Sequence, residues 1–123
     1  MSFKLLVPTI LAVSLAAGTA HAQADPEKGK DQFKKCIICH AITAGQNKIG
    51  PSLFGVVGRE SGTEPGFSYS DAMQGFKHVW DKEALDKYLT DPRQVVPGTK
   101  MIFPGLKDEA DREALIAYLE TLK

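Results

Sequence analysis

Two thiols and an imidazole fall within five residues of this chain, Cys36-Ile37-Ile38-Cys39-His40, and there is no other cysteine. Four kinds of chemistry use thiols at this spacing. A structural zinc site needs four tetrahedral ligands. Beyond residue 22 the chain offers only two cysteines and two histidines, His40 and His78, with no second paired spacing. A thiol–disulfide enzyme carries Cys-x-x-Cys after a strand of a βαβ unit, whereas the residues before Cys36 are polar and helical in pattern. A plain disulfide across so short a loop gains little closure entropy, and it leaves His40 without a role.

The fourth chemistry is attachment of a c-type haem, in which both thiols become thioethers to the porphyrin and the following histidine ligates the iron. Cysteines at i and i+3 lie on one face of a helical turn, so both can reach one edge of a flat ring. Five residues can form this pattern by chance, and the rest of the chain has to decide. One protein ligand leaves the sixth iron position open, with Met73, Met101 and His78 as candidates. Met101 lies in "VVPGTKMIFPGLK", an irregular segment bounded by Pro97-Gly98 and Pro104-Gly105 that can lay a side chain against a flat face. Met73 follows Ser70, a helix N-cap residue, and reads as helical core. His78, flanked by the apolar Val79 and Trp80, reads as a satisfied or exposed histidine rather than a ligand.

These residues need a scaffold, and 123 residues allow one domain. The composition is 43% hydrophobic and 24% charged, which predicts a folded core. The formal charge of zero implies no bulk attraction to nucleic acid or anionic membrane. Residues 1–22 read as a cleaved secretory signal peptide, with Lys4, the apolar "LLVPTILAVSLAA" and a small-x-small Ala20-His21-Ala22 site. The apolar run, broken by Pro8, is shorter than the roughly 20 residues of a membrane span. A mature chain from Gln23 loses Lys4 and no acid, so 15 basic residues become 14 against 15 acidic ones, a formal charge of −1. Export puts the cysteines in an oxidising compartment, and the expected location is the periplasm.

Residues 23–123 read as an all-α domain of few helices and long loops. Asp25-Pro26 predicts a capped first helix carrying Phe33 towards Cys36. The glycine- and proline-rich stretch from Thr43 to Tyr69 is too long for a simple connector. Asp81 caps a helix to Thr90, stopped by Asp91-Pro92, and Asp108 caps a last helix with Leu115, Tyr118, Leu119 and Leu122 on one face. So small a core leaves room for a buried haem to supply apolar filling.

The segments "CIICH", "IGPSLFGVVGRESGTEPGFSYSDAM", "YLTDPRQVVPGTKMIFPGLK" and "DREALIAYL" together resemble the class I cytochromes c, mitochondrial and bacterial, over nearly the whole mature chain. The resemblance implies a cytochrome c fold around one covalent haem c held by Cys36 and Cys39, with His40 and Met101 as axial ligands. It implies that the Pro51 carbonyl accepts from the His40 ring, that Arg59, Tyr69 and Trp80 surround the haem propionates, and that Tyr88 bonds the methionine sulfur. Thr99 and Phe103 would line the pocket beside that ligand, and Gly29 and Phe33 would pack on Leu115 and Tyr118. Met73 stands where mitochondrial members usually carry asparagine.

The function expected is one-electron carriage, the iron cycling between Fe(II) and Fe(III), with no enzymatic activity, in a respiratory or photosynthetic chain. A peroxidase or gas sensor would need a vacant sixth site, and a thiol–disulfide enzyme would need free cysteines. Quinol–cytochrome c reductase is the expected donor, and an oxidase, a reaction centre or a periplasmic dehydrogenase are alternative partners. Nucleic acid, stable membrane insertion and oligomerisation are not expected. Lys34, Lys35, Lys48, Lys100 and Lys107 flank the two ligand segments and are expected to form a docking patch for an acidic partner.

Overall fold

The computed structural model describes residues 23–123 together with Met1, Ala12, Val13 and Gly18. The predicted signal peptide, apart from those four positions, lies outside the described residues. Five helices are described: α1 (Pro26–Phe33), α2 (Asp71–Phe76), α3 (Lys82–Thr90), α4 (Pro92–Val95) and α5 (Glu109–Glu120). Among the described residues, extended pairing is limited to one isolated antiparallel bridge between Glu60 and Val79.

The helix starts follow from their capping residues. Asp25 accepts from the Glu27 amide at 2.9 Å and Pro26 begins α1 with its φ already helical. Ser70, Asp81 and Asp108 cap α2, α3 and α5 through the amides three residues on, at 3.1, 2.8 and 2.9 Å. Asp91-Pro92 does more than stop α3. Asp91 accepts from the Gln94 amide and Pro92 opens the one-turn α4, the arrangement that starts α1.

The core is a crossing of α1 on α5 with α3 packed beside them. Gly29 and Phe33, four apart on α1, face α5. The backbone of Gly29 lies against the Ala114 carbonyl and the Tyr118 side chain, where a methyl group would overlap both. Phe33 meets Tyr118 with ring centroids 5.4 Å apart. Leu115, Ile116 and Leu119 bury the inner face of α5, each at roughly 1.5–3 kcal/mol of apolar burial.

Arg112 of α5 is the buried exception, and it is paired at both Nε and Nη1. Its Nε meets Asp86 Oδ1 of α3 at 2.7 Å, and Nη1 donates to the carbonyls of Leu106 and Lys107 at 3.1 and 2.9 Å. The guanidinium thus ties α5 to α3 and to the segment that follows Met101.

Candidate functional site

Past Phe33 the chain keeps turning. The Phe33 carbonyl accepts from the amides of Cys36 and Ile37 at 2.8 and 3.2 Å, and the Cys36 carbonyl from those of Cys39 and His40 at 3.0 and 2.9 Å. Cys36 and Cys39 are therefore three apart in helical turns, with His40 directly behind. His40 is buried, and its Nδ1 lies 2.7 Å from the Pro51 carbonyl oxygen. A carbonyl can only accept, so Nδ1 carries the proton and Nε2 keeps its lone pair for a metal. Burial holds the imidazole pKa below its ordinary value; the Pro51 bond works against that, and the positive charges of Arg59 and Lys48 add to it. The ring is fixed from behind as well, because a methyl group on Gly50 would overlap it. Gly50 in turn donates to the Cys39 carbonyl at 2.7 Å.

Both cysteines carry free thiols in the polypeptide. Burial pushes the Cys36 thiol up to about 11, with Lys35 lowering it and Cys39 raising it further. Among the described residues, no group of three or more His, Cys, Asp or Glu side chains could hold a metal ion.

Met101 sits on a loop pinned at several points. Thr99 donates its amide to the Val96 carbonyl at 2.9 Å, and its hydroxyl lies 2.9 Å from that of Tyr88 and accepts from the Met101 amide at 3.3 Å. The resemblance implied a bond from Tyr88 to the methionine sulfur; here the Tyr88 hydroxyl is turned to Thr99, which holds the backbone of Met101. Met101 and Phe103 are half-buried against the core. Leu106 donates to the Leu89 carbonyl at 2.8 Å and closes the loop onto α3. Met73 is buried in α2 as expected of core, and His78 is exposed, its ring stacked on Phe76 at 4.1 Å.

Arg59 is linked to both of the other residues expected at the propionates, to Trp80 through the backbone and to Tyr69 by way of Glu64. The Arg59 carbonyl accepts from the Trp80 amide at 2.8 Å, beside the Glu60–Val79 bridge. Trp80 is buried against Tyr88, with ring centroids 4.9 Å apart. Arg59 Nη2 donates to the Ser52 carbonyl at 2.9 Å and Nη1 meets Glu64 Oε2 at 2.7 Å. The Glu64 amide donates to the Tyr69 hydroxyl at 3.0 Å.

Glu64 is a residue that sequence reasoning missed, since nothing in a glycine-rich loop marks an acid five positions after an arginine as its partner. Asn47 was missed too. It accepts from the Ser52 amide and donates to the Pro65 carbonyl, both at 3.0 Å, holding the loop after His40 to the loop that carries Glu64.

The five candidate docking lysines are all exposed, and each also has a contact within the chain. Lys34 pairs with Asp31 at 2.9 Å and Lys35 donates to Gln32 at 2.7 Å. Lys48, Lys100 and Lys107 donate to the carbonyls of Ile37, Ser68 and Thr90 at 2.7, 3.2 and 2.6 Å. Acidic side chains gather elsewhere. A groove of about 550 Å³ between the start of α1, α3 and α5 is lined by Glu83, Asp86, Glu109, Glu113 and Glu120 with one lysine, Lys82.

Two adjacent thiols, a buried imidazole with Nε2 free and a half-buried thioether on a tethered loop are a donor set suited to a covalently held haem. Comparison with known proteins agrees. The family model described as cytochrome c matches residues 26–123. Cytochrome c2 of Rhodopila globiformis is 53% identical over 100 residues, covering 80% of this chain and 94% of the relative. Cytochrome c2 of Blastochloris viridis is 46% identical over 112 residues, covering 90% of this chain and 86% of the relative. Among solved structures, cytochrome cH from Methylobacterium extorquens aligns with a TM-score of 0.76 at 41% identity, over 79% of this chain and 98% of that one.

Proposed function

The chain belongs to the cytochrome c family, and from that premise we propose that it is a periplasmic one-electron carrier of a respiratory or photosynthetic chain. It is an electron-transfer protein rather than an enzyme, and it binds haem c covalently. When bound, the haem supplies an iron that accepts and releases one electron between Fe(III) and Fe(II).

The chain's own residues divide the work of holding it. Cys36 and Cys39 are the attachment points, through thioethers that tie the group to the turn after α1. His40 presents Nε2 because Pro51 and Gly50 fix the other side of its ring. Met101 would offer the iron a second donor, and soft sulfur together with imidazole would favour Fe(II) and a high potential. Arg59, Tyr69 and Trp80 form the wall suited to the propionates, while Thr99 and Phe103 shape the pocket at the methionine. The observation that carries this reading is the buried His40 ring, held 2.7 Å from the Pro51 carbonyl in the same turns as both cysteines.

Residues 1–22 are read as a signal peptide cut after Ala22, which supports export. Among the described residues no helix is long and apolar enough to cross a membrane. Quinol–cytochrome c reductase is the proposed donor, with an oxidase, a reaction centre or a periplasmic dehydrogenase at the other end. Lys34, Lys35, Lys48, Lys100 and Lys107 are the proposed docking charges, and none of the five lines the carboxylate-rich α3–α5 groove. Rim charges of this kind speed encounter more than they deepen affinity.

The test is to express the chain in a host that attaches c-type haem, denature it fully and ask whether the haem stays on the polypeptide. Retention in the parent and its loss or weakening in Cys36→Ala and Cys39→Ala support the assignment. A haem-free parent with a reducible Cys36–Cys39 disulfide contradicts it. Electron transfer to an acidic partner is expected to slow as salt rises, with a weaker salt dependence in Lys34→Glu and Lys100→Glu.

A further inference from the structure

We infer that Glu64 helps set the reduction potential of the carrier, by neutralising the Arg59 guanidinium, which is anchored on the carbonyl next to the one that holds the His40 ring. The inference rests on the electron-carrier reading above, and it assigns a role to a residue that the reading does not use.

The geometry runs in short links from the carboxylate to the ligand. Glu64 Oε2 meets Arg59 Nη1 at 2.7 Å, with the two side chains only 10% and 15% exposed. Arg59 Nη2 donates to the Ser52 carbonyl at 2.9 Å, and the residue before Ser52 is Pro51, whose carbonyl holds the His40 ring at 2.7 Å. The guanidinium and the imidazole are therefore anchored on adjacent peptide carbonyls. So little exposure leaves water few ways to screen these charges, and their mutual effect is larger than that of a surface pair.

Oxidation adds one positive charge at the iron. A guanidinium beside the ligand opposes that charge and favours Fe(II). A carboxylate at 2.7 Å from the guanidinium cancels much of this, which makes Fe(III) easier to form. Glu64 is fixed for the task at its backbone too, since its amide donates to the Tyr69 hydroxyl at 3.0 Å. Asn47, bonded to both the Ser52 amide and the Pro65 carbonyl, keeps the Arg59 anchor and the Glu64 loop in register. Glu64 is thus a positioning residue acting through Arg59 and not a ligand.

The experiment is potentiometry of the holoprotein at fixed pH and salt on the parent, Glu64→Gln, Arg59→Gln and the double variant. Glutamine at 64 keeps the length and the acceptor and removes the charge. Glu64→Gln is expected to shift the one-electron equilibrium towards Fe(II) by about three- to tenfold, tenfold corresponding to 59 mV. Arg59→Gln is expected to shift it the other way, and the double variant to return towards the parent. The methionine–iron charge-transfer band and the melting curve report whether ligation and fold survive. An unchanged potential in Glu64→Gln with both intact overturns the inference and leaves the pair as a purely structural tie. Should Glu64→Gln fail to fold, Arg59→Gln decides alone, and an unchanged or raised potential overturns the inference. A parent that holds no haem would instead sink the carrier reading itself.

Discussion

The two segments that carry the proposed iron ligands are held in different ways. His40 belongs to the core: it is buried, follows directly on the turns that extend α1, and has its ring clamped between Gly50 and the Pro51 carbonyl. Met101 belongs to a loop, half-buried, and its place depends on the hydrogen bond its amide donates to the Thr99 hydroxyl and on the re-entry of the chain at Leu106. Loosening His40 requires disturbing the α1–α5 crossing. Loosening Met101 requires only that the Pro97–Gly105 loop lift away from α3. Local opening draws on the least stabilised units of a fold, so the methionine side is the side expected to open first.

The largest expected effect comes from breaking the histidine side. In Gly50→Ala the new methyl group overlaps a ring that cannot swing away, an overpacking that costs about 1–3 kcal/mol. The expected outcome is poor haem loading and a lowered melting temperature together, measured by haem content per chain and thermal unfolding. The comparison is weakened if Gly50→Ala loads haem normally and loses only the methionine ligand.

A smaller and more selective effect is expected on the other side. Gly105 has φ +108°, outside the range side chains accept, and a methyl group there would run into the Thr90 carbonyl. Gly105→Ala is expected to cost about 1–3 kcal/mol of local backbone strain while haem stays attached. Azide or imidazole binding at the iron should become faster, measured by stopped flow, with His40 ligation retained. Equal loss of both ligands in this variant would show that the two sides open as one unit.

The Tyr88–Thr99 bond sharpens the comparison through pH. Burial holds the Tyr88 phenol above its ordinary value of about 10, the Thr99 bond lowering it in part. The unfolded chain ionises this group near pH 10 while the folded chain keeps it neutral to higher pH. Its contribution to stability is therefore full below pH 10 and lost as pH rises towards the raised folded value. Tyr88→Phe is expected to be about 1 kcal/mol less stable at pH 7, with the gap narrowing above pH 10. Tyr69, also raised by burial, remains in both proteins and cancels in the difference. Denaturant unfolding at pH 7 and 11 measures it, and a gap that widens with pH would contradict the assignment.

The smallest effect belongs to neither side. Lys77, at the C-cap of α2, is the non-glycine residue with positive φ among those described, at +46°. Lys77→Gly is expected to stabilise by up to about 1 kcal/mol with no change at the iron, read from a melting curve beside an unshifted spectrum.

How much of this was legible in the sequence differs between the same two regions. The histidine side is written in consecutive residues, five positions of fixed spacing, and the helix that leads to it is announced by Asp25-Pro26. The four caps Asp25, Ser70, Asp81 and Asp108 were all readable, because a short polar side chain before an apolar period has few other uses. The methionine side was readable only as an irregular loop with a sulfur in it. Asp91-Pro92 reads in the sequence as a stop alone, although the same pair of residue types opens α1, and so α4 was missed. What tethers the loop and loads the wall of the pocket is long-range: Tyr88 to Thr99 across 11 residues, Arg112 to Asp86 across 26, and Arg59 to Glu64 inside a loop without periodicity. Such pairs depend on how loops fold over the core, and no local period encodes them.

The central claim is that one iron is held between His40 and Met101, and the most direct measurement is the methionine–iron charge-transfer absorption of the oxidised protein in three forms. The account predicts the band in the parent, its loss in Met101→Ala with haem still attached, and its survival in Met73→Ala, where only the packing of α2 should weaken. A band that survives Met101→Ala and vanishes in Met73→Ala would contradict it.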